Sequence, residues 1–170
     1  MAIGTALKQR SDKVAFYGVP GEASGVTYHR MAGFTDTSIS KNPTEYSRRY
    51  VDEDAEQTDV TGYSPAIAYA FDSYVGNAVH EDIAKIADGE LIGTAAVRSI
   101  IVVDMTTTGT AENSRKGIMR DYAVIPDSEG DSTDAYTYSG NMRSKSTIEE
   151  VEVTSADNWA TITLVDEDSV

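Results

Sequence analysis

The fold is decided by residues 64–88, which read SPAIAYAFDSYVGNAVHEDIAKIAD. In the first half of this stretch, the large side chains Ile67, Tyr69 and Phe71 alternate with alanines. A period of two is typical of a β-strand with one buried face, so these three residues are predicted to point into a core. The alanines leave the other face thin, either for close packing or for exposure to solvent.

The second half of the stretch predicts a helix over 77–88, the one convincing helix of the chain. Asn77 is suited to be its N-cap, and the acids Glu81 and Asp82 are expected near the positive end of the helix dipole. A short helix with a single apolar stripe is expected to lie against a sheet. The residues of that stripe, predicted as the helix-to-sheet core, are Val79, Ile83 and Ile86.

The rest of the chain outside one long polar segment is predicted to be β-structure joined by turns. Seven or so strands with one helix favour an antiparallel sandwich or barrel-like fold with one flanking helix. The remaining predicted strands are 13–17, 26–33, 99–105, 117–125, 135–140, 148–153 and 159–164, with an acidic turn over 126–134.

The long polar segment, residues 35–64, is predicted to be a loop. It has few aliphatic side chains, and the stretch 51–60 holds five acids and no base. A long connection without its own core is uncommon in a compact domain, and it is usually functional or disordered. Two interpretations stay open: a solvated surface loop, or a segment that becomes ordered on a neighbouring subunit.

Length and charge narrow the class of protein. The 170 residues are predicted to form a single domain, with an N-terminal arm over 1–12 and an acidic C-terminal tail over 165–170. The 14 basic and 28 acidic residues give a net charge of −14, which disfavours tight DNA binding because a DNA-binding protein must neutralise phosphates.

The chain has no cysteine, so disulfides and thiol catalysis are excluded. No signal peptide or membrane-spanning stretch is visible, so no membrane insertion is expected.

The sequence holds no persuasive catalytic or metal-binding motif. The two histidines, His29 and His80, stand outside any metal or nucleophile motif and are predicted to be exposed or half-buried. The acids of 127–134 alternate as they do in calcium loops, but Gly130 and Tyr138 stand where an EF-hand has other residues, so a solvated turn is the default. We therefore expect no enzyme, no catalytic residue, no metal site and no cofactor.

Tyrosine is over-used, with ten tyrosines against three phenylalanines. Tyrosine suits interfaces, where the ring packs and the hydroxyl stays wet, but it also suits strands. Both explanations stay open for the tyrosines that flank the long segment and the acidic turn, which are Tyr46, Tyr50, Tyr63, Tyr136 and Tyr138.

Three stretches, in this order, carry a resemblance to a known family. They are 31–53, 57–65 continuing to 77–82, and 122–131 with 135–140, together about two-thirds of the chain. The sequence resembles the major tail tube proteins of long-tailed, non-contractile bacteriophages. That resemblance implies a β-sandwich with a flanking helix, similar to the tube proteins of contractile tails and type VI secretion.

The resemblance also implies a structural function. Hexameric rings would stack head to tail into a hollow tube that conducts the genome, and the excess acid is expected to line the lumen and repel DNA. The implied partners are other copies of the chain, the tape-measure protein, and the tail terminator and distal tail proteins, with transient non-specific passage of DNA. The implied location is the virion tail, assembled in the host bacterial cytoplasm.

Ring stacking is predicted to use the densest cations of the chain, Arg48 and Arg49, against carboxylates of the next ring. The alternative is that both arginines bind the acids of their own loop. The predicted stacking residues are Arg48, Arg49, Tyr50, Asp52, Glu53 and Asp54. A binding module, an acidic immunoglobulin-like sandwich for Ca²⁺ or a carbohydrate, is the alternative function.

Overall fold

A computed structural model describes residues 4, 6–23 and 25–166. It contains eleven strands and one α-helix within those ranges. In chain order the elements are β1 (Lys13–Pro20), β2 (Val26–Arg30), β3 (Phe34–Ser40), β4 (Pro43–Arg48), β5 (Gln57–Tyr63), β6 (Ala66–Asp72), α1 (Ala78–Asp88), β7 (Val97–Asp104), β8 (Arg115–Glu129), β9 (Thr137–Ser144), β10 (Glu149–Thr154) and β11 (Thr161–Leu164). Short 3-10 turns precede β1 and β7.

Six of the strands close into an antiparallel barrel. Their order is β10-β11-β2-β1-β7-β8, and β8 pairs back to β10 to complete the ring. The barrel is filled by a compact apolar cluster, because alternate residues of each strand point inward. The buried members of this cluster are Val14, Phe16, Ile101, Val103, Val153 and Ile162.

The sheet extends beyond the barrel from the long strand β8. Strands β9, β6 and β3 continue the sheet outward from β8 in that order, all antiparallel. The helix α1 covers this extension and the adjoining wall of the barrel. Neighbouring residues of β1 therefore serve two cores: Phe16 fills the barrel, whereas Tyr17 lies under the helix, and both are fully buried.

The helix has the predicted cap and apolar stripe. The Asn77 side chain accepts hydrogen bonds from the backbone N–H groups of Val79 and His80, which satisfies donors that the first turn leaves free. Val79, Ile83 and Ile86 are each at most 1% exposed in the core beneath the helix. The alternation of Ile67, Tyr69 and Phe71 holds as well, since all three are buried in the same core.

The prediction that 35–64 is a loop is wrong. Most of this segment is β-structure: β3 joins the main sheet along β6, and β4 and β5 form a separate two-stranded hairpin. Nearly every residue of β4 and β5 is exposed, so these strands lack the apolar alternation that marks a half-buried strand.

Several predicted boundaries also move. Strand β8 continues to Glu129, so the acidic turn is shorter than predicted, and β2 ends at Arg30. The predicted N-terminal arm and C-terminal tail fall partly on residues 1–3, 5 and 167–170, which lie outside the described residues. Within the described ranges, no helix is long and apolar enough to cross a membrane.

Candidate assembly surfaces

The sheet extension has two open edges, which are the first candidate surface. Strand β8 pairs with β7 only as far as Ala123, while β9 follows its opposite side from Tyr122 to Glu129. Beyond Ala123, no described strand pairs with the β7 side of β8. At the far side of the extension, β3 pairs with β6 alone. The second half of β8 with β9, β6 and β3 is therefore a four-stranded sheet, here called the open sheet, with unpaired main-chain groups along both margins.

A groove follows the free margin of β3, between it and the beginning of β1. Its volume is about 620 Å³. Arg10 spans the two sides: its Nη1 donates to the carbonyl oxygen of Lys13 at 2.8 Å, and its Nη2 donates to the Thr37 carbonyl at 3.2 Å and to Thr37 Oγ1 at 2.6 Å. Lys13 and Arg30 add two further exposed cations to the lining. This site is here called the basic groove.

The hairpin β4–β5 is the second candidate surface. Nearly all of its residues are exposed, and its two strands pair only with each other. Their side chains make few internal bonds, such as Ser47 Oγ to Thr58 Oγ1 at 2.8 Å. A two-stranded hairpin with no apolar face against a core is at best marginally stable in water, so this one needs a partner surface. Its largely exposed aromatic and aliphatic side chains are Tyr46, Tyr50, Val51, Val60 and Tyr63.

The two arginines predicted for ring stacking lie at the end of β4 and just after it. Arg48 donates to the hydroxyl of Tyr46 at 3.0 Å and lies 5.9 Å from the centre of the Tyr50 ring, in cation–π geometry. Arg49 donates to the backbone carbonyl of Glu53 at 3.2 Å. Neither guanidinium forms a salt bridge with a carboxylate of the described chain. Both cations are thus available to carboxylates from another molecule.

The face of the open sheet opposite the helix is lined mostly by short side chains, but it also carries the exposed side chains of Ile125 of β8 and Arg143 of β9. The register brings Ser38 of β3, Ala68 of β6 and Asn141 of β9 side by side. The same face carries Asp36 and Asp72 at its acidic end. Sequence reasoning identified the alanine face of β6 but left open whether another element covers it. In the described chain it stays uncovered.

A buried ion pair ties the helix to the sheet, and sequence reasoning missed it. Arg98 of β7 donates from Nε to Asp82 Oδ2 at 2.8 Å and from Nη2 to Asp82 Oδ1 at 3.2 Å, while its Nη1 donates to the carbonyls of Ala95 and Val97. The Tyr17 hydroxyl donates to the same carboxylate at 2.6 Å. Burial, and then the charge of Asp82, raises the pKa of Tyr17 well above its usual range. Asp82 is therefore an interior anchor, whereas its position in the sequence suggested only a dipole contact.

The prediction for His80 is also wrong, because its side chain is fully buried. Its ring stacks on Phe71 with centroids 4.2 Å apart. Nδ1 accepts from the backbone N–H of Tyr74 at 3.2 Å, and Nε2 lies 3.0 Å from the carbonyl of Ala32, so the neutral Nε2–H tautomer satisfies both bonds. Burial lowers the pKa of His80. His29 is half-buried, as predicted.

The acidic turn is exposed and reverses the chain between β8 and β9. Gly130 has a φ of 72°, in the left-handed region that favours glycine. Asp131 accepts from Ser128 Oγ at 3.0 Å, which holds the turn closed. At its base, burial and then Asp88 raise the pKa of Tyr138 to about 12. Among the described residues, no group of three or more histidines and carboxylates is placed to hold a metal ion.

Comparison with solved structures identifies the fold. A chain from the tail of an empty gene transfer agent particle, solved with helical refinement and C6 symmetry, matches with a TM-score of 0.59 and 14% identity, over 84% of this chain and 98% of that one. The two chains share a fold. A chain from the virion of a native gene transfer agent particle matches at a TM-score of 0.58 and 13% identity, over 85% and 98% of the two chains. No family model matches the sequence, and no curated protein does either. The predicted fold class, a mainly β barrel-like fold with one flanking helix and extensions, is confirmed.

Proposed function

We propose that this chain is the structural subunit of a phage-type tail tube, of the long-tailed, non-contractile kind, with no catalytic role. Hexameric rings of the subunit stack into a hollow tube through which DNA passes. The observation that carries the proposal is the open sheet. It continues from a closed six-stranded barrel, and its two outer margins, along β3 and the second half of β8, pair with no other described strand. The shared fold with a chain of a C6-symmetric tail supports the proposal.

Within a ring, the free margin of β3 pairs with the second half of β8 of the next subunit. Successive strands of the open sheet alternate in direction, so β3 and β8 of one subunit run antiparallel. A neighbouring β8 added beside β3 in the same orientation therefore continues the antiparallel order. Such a contact is heterologous, and heterologous contacts generate rings when the rotation closes. Ring formation satisfies main-chain groups that a lone subunit leaves to solvent.

Between rings, the exposed hairpin provides the stacking contact. Arg48 and Arg49 bind carboxylates of the next ring, and Tyr50, Asp52, Glu53 and Asp54 complete the contact from the hairpin tip. Guanidinium groups pair with carboxylates through two parallel hydrogen bonds, and a ring repeats each pair around its circumference. The exposed tyrosines add apolar area, as tyrosine does at protein interfaces.

The helix-free face of the open sheet lines the lumen. In a ring closed through β3 and β8, this face forms a continuous wall of mostly short side chains, with the carboxylates of Asp36 and Asp72 at one end and the cation of Arg143 at the other. Carboxylates repel DNA phosphate, and short neutral side chains offer few contacts, so DNA slides along the wall. The tape-measure protein occupies this lumen before DNA does, and the tail terminator and distal tail proteins cap the two ends. Assembly takes place in the host bacterial cytoplasm.

Negative-stain electron microscopy and native mass spectrometry of concentrated protein test the proposal. Rings with six subunits, or hollow filaments built from them, are the expected result. Hydrogen exchange on the same samples should show residues 43–63 protected only in filaments, because the isolated hairpin lacks a core contact. A protein that stays monomeric at high concentration, or a hairpin equally protected in monomer and filament, would contradict the proposal.

A further inference from the structure

The basic groove is an unusual feature in a chain with a net charge of −14. Its lining contains three cations, Arg10, Lys13 and Arg30, against one carboxylate, that of Asp36. Among the described residues, no salt bridge engages any of these three cations. Like charges close together repel one another, so the groove favours an acidic occupant.

We propose that the basic groove binds the acidic turn of a neighbouring copy of this chain, residues 130–134 between β8 and β9. The proposal rests on the ring contact described above and names the side chains that set its register. The turn offers the exposed carboxylates of Asp131 and Asp134, which lie outside any salt bridge of the described chain. Charge complementarity therefore selects the neighbour's turn as the occupant.

The register of the open sheet places the basic groove and the acidic turn at the same end of the sheet. Phe34 of β3 pairs with Phe71, Phe71 pairs with Tyr138, and Tyr138 pairs with Glu129 of β8. The groove end of β3 and the turn that follows β8 thus lie at the same end of the sheet. A ring generated by rotation has no translation along its axis, so a neighbour's acidic turn arrives beside the basic groove.

The hydrogen-bond partner of Arg10 changes when the neighbouring subunit binds. In the single chain its guanidinium covers the Thr37 carbonyl on the free margin of β3. When the neighbour's β8 pairs with β3, a backbone N–H of that strand replaces Arg10 at the carbonyl. The guanidinium is then free to pair with a carboxylate of the incoming turn, which exchanges a neutral acceptor for a charged one.

Charge reversal on each side tests the pairing. Lys13→Glu with Arg30→Glu reverses the groove, and Asp131→Lys with Asp134→Lys reverses the turn; all four side chains are exposed. Either pair alone should raise the protein concentration needed for rings about tenfold or more, because attractive contacts become repulsive. An equimolar mixture of the two variants should restore rings, since each groove then meets a turn of opposite charge, and native mass spectrometry should show rings with three copies of each.

The matched control is Lys116→Glu with Lys145→Glu, which makes the same charge change on exposed residues outside the groove and should leave ring formation unchanged. Circular dichroism melting of every variant checks that it folds. Groove variants that form rings like the unmodified protein, or a mixture that fails to restore rings, would overturn the groove assignment. Rings with three copies each of the groove variant and of Asp52→Lys with Asp54→Lys would also overturn it, because the groove would then hold the hairpin tip. Failure of the unmodified protein to form rings would refute the proposed function itself.

Discussion

Removing the carboxylate of Asp82 is expected to be among the most damaging changes on the helix. The side chains of Asp82 and Arg98 are each 9% exposed, and their pair is joined by the hydroxyl of Tyr17. Asp82→Ala leaves two donors of Arg98 and the Tyr17 hydroxyl without a partner. Breaking a buried ion pair from one side typically costs about 3–5 kcal/mol, against a total stability of ~5–15 kcal/mol for a domain.

The cost of Asp82→Ala has a direct assay and a matched control. Urea unfolding followed by circular dichroism should show the loss of about 3–5 kcal/mol, and thermal unfolding should shift by about 6–20 °C for a chain of this length. Asp82→Ala combined with Arg98→Met should cost less than Asp82→Ala alone, because the second change removes the unpaired buried charge. A loss below about 1 kcal/mol for Asp82→Ala would show that the carboxylate is not an interior anchor.

Three further changes test the helix, the buried histidine and the hairpin. Ile83→Ala should destabilise the fold by roughly 2–4 kcal/mol, since Ile83 is fully buried, and a loss under half a kcal/mol in urea unfolding would contradict its core position. Because burial lowers the pKa of His80, the unfolded chain binds more protons below about pH 6.5, so stability should fall on acidification by up to ~1.4 kcal/mol per pH unit. His80→Gln should flatten that slope in urea unfolding between pH 7.5 and 5.5, and a slope equal to that of the unmodified protein would refute the assignment. Arg48→Glu with Arg49→Glu should leave the fold intact but stop filament growth at the ring stage, and normal filaments in the electron microscope would disprove their stacking role.

Buried elements with a strong period could be predicted from the sequence. In β6 and α1 the apolar spacing reports directly on the core, because the side chains that set the period are the ones that lose their contact with water. Ile67 and Ile83 are examples, each at most 1% exposed. The barrel strands were found in outline for the same reason, with their ends displaced by a few residues.

The hairpin could not be predicted from apolar spacing because both of its faces meet solvent. Strand β4 is held by cross-strand hydrogen bonds and by pairs such as Ser47 with Thr58, which leave no apolar period. The apolar pattern predicts that β8 ends before Pro126, because proline lacks the backbone N–H that a strand needs for pairing. Within one subunit only β9 pairs with β8 at this position, so the missing N–H of Pro126 interrupts no pairing with β7.

The candidate assembly surfaces could be predicted only in part, because they depend on which residues the folded chain brings together. Arg48 and Arg49 were found as the densest cations of the sequence, but nothing in local spacing brings Arg10, Lys13 and Arg30 into one groove. Their proximity arises only in the folded chain, where the beginning of β1 lies beside the free margin of β3. Asp82 and Arg98 likewise meet only in the folded chain, where the helix packs on β1 and β8, the two strands that flank β7.

A cryo-electron microscopy reconstruction of the rings or filaments that this chain forms would show directly whether it is a tail-tube subunit. We expect sixfold rings in which β3 of each subunit hydrogen-bonds to the second half of β8 of the next, with Ser38, Ala68 and Asn141 facing an open channel. Rings in which both of those margins face solvent, or a channel lined instead by the helix, would contradict this expectation.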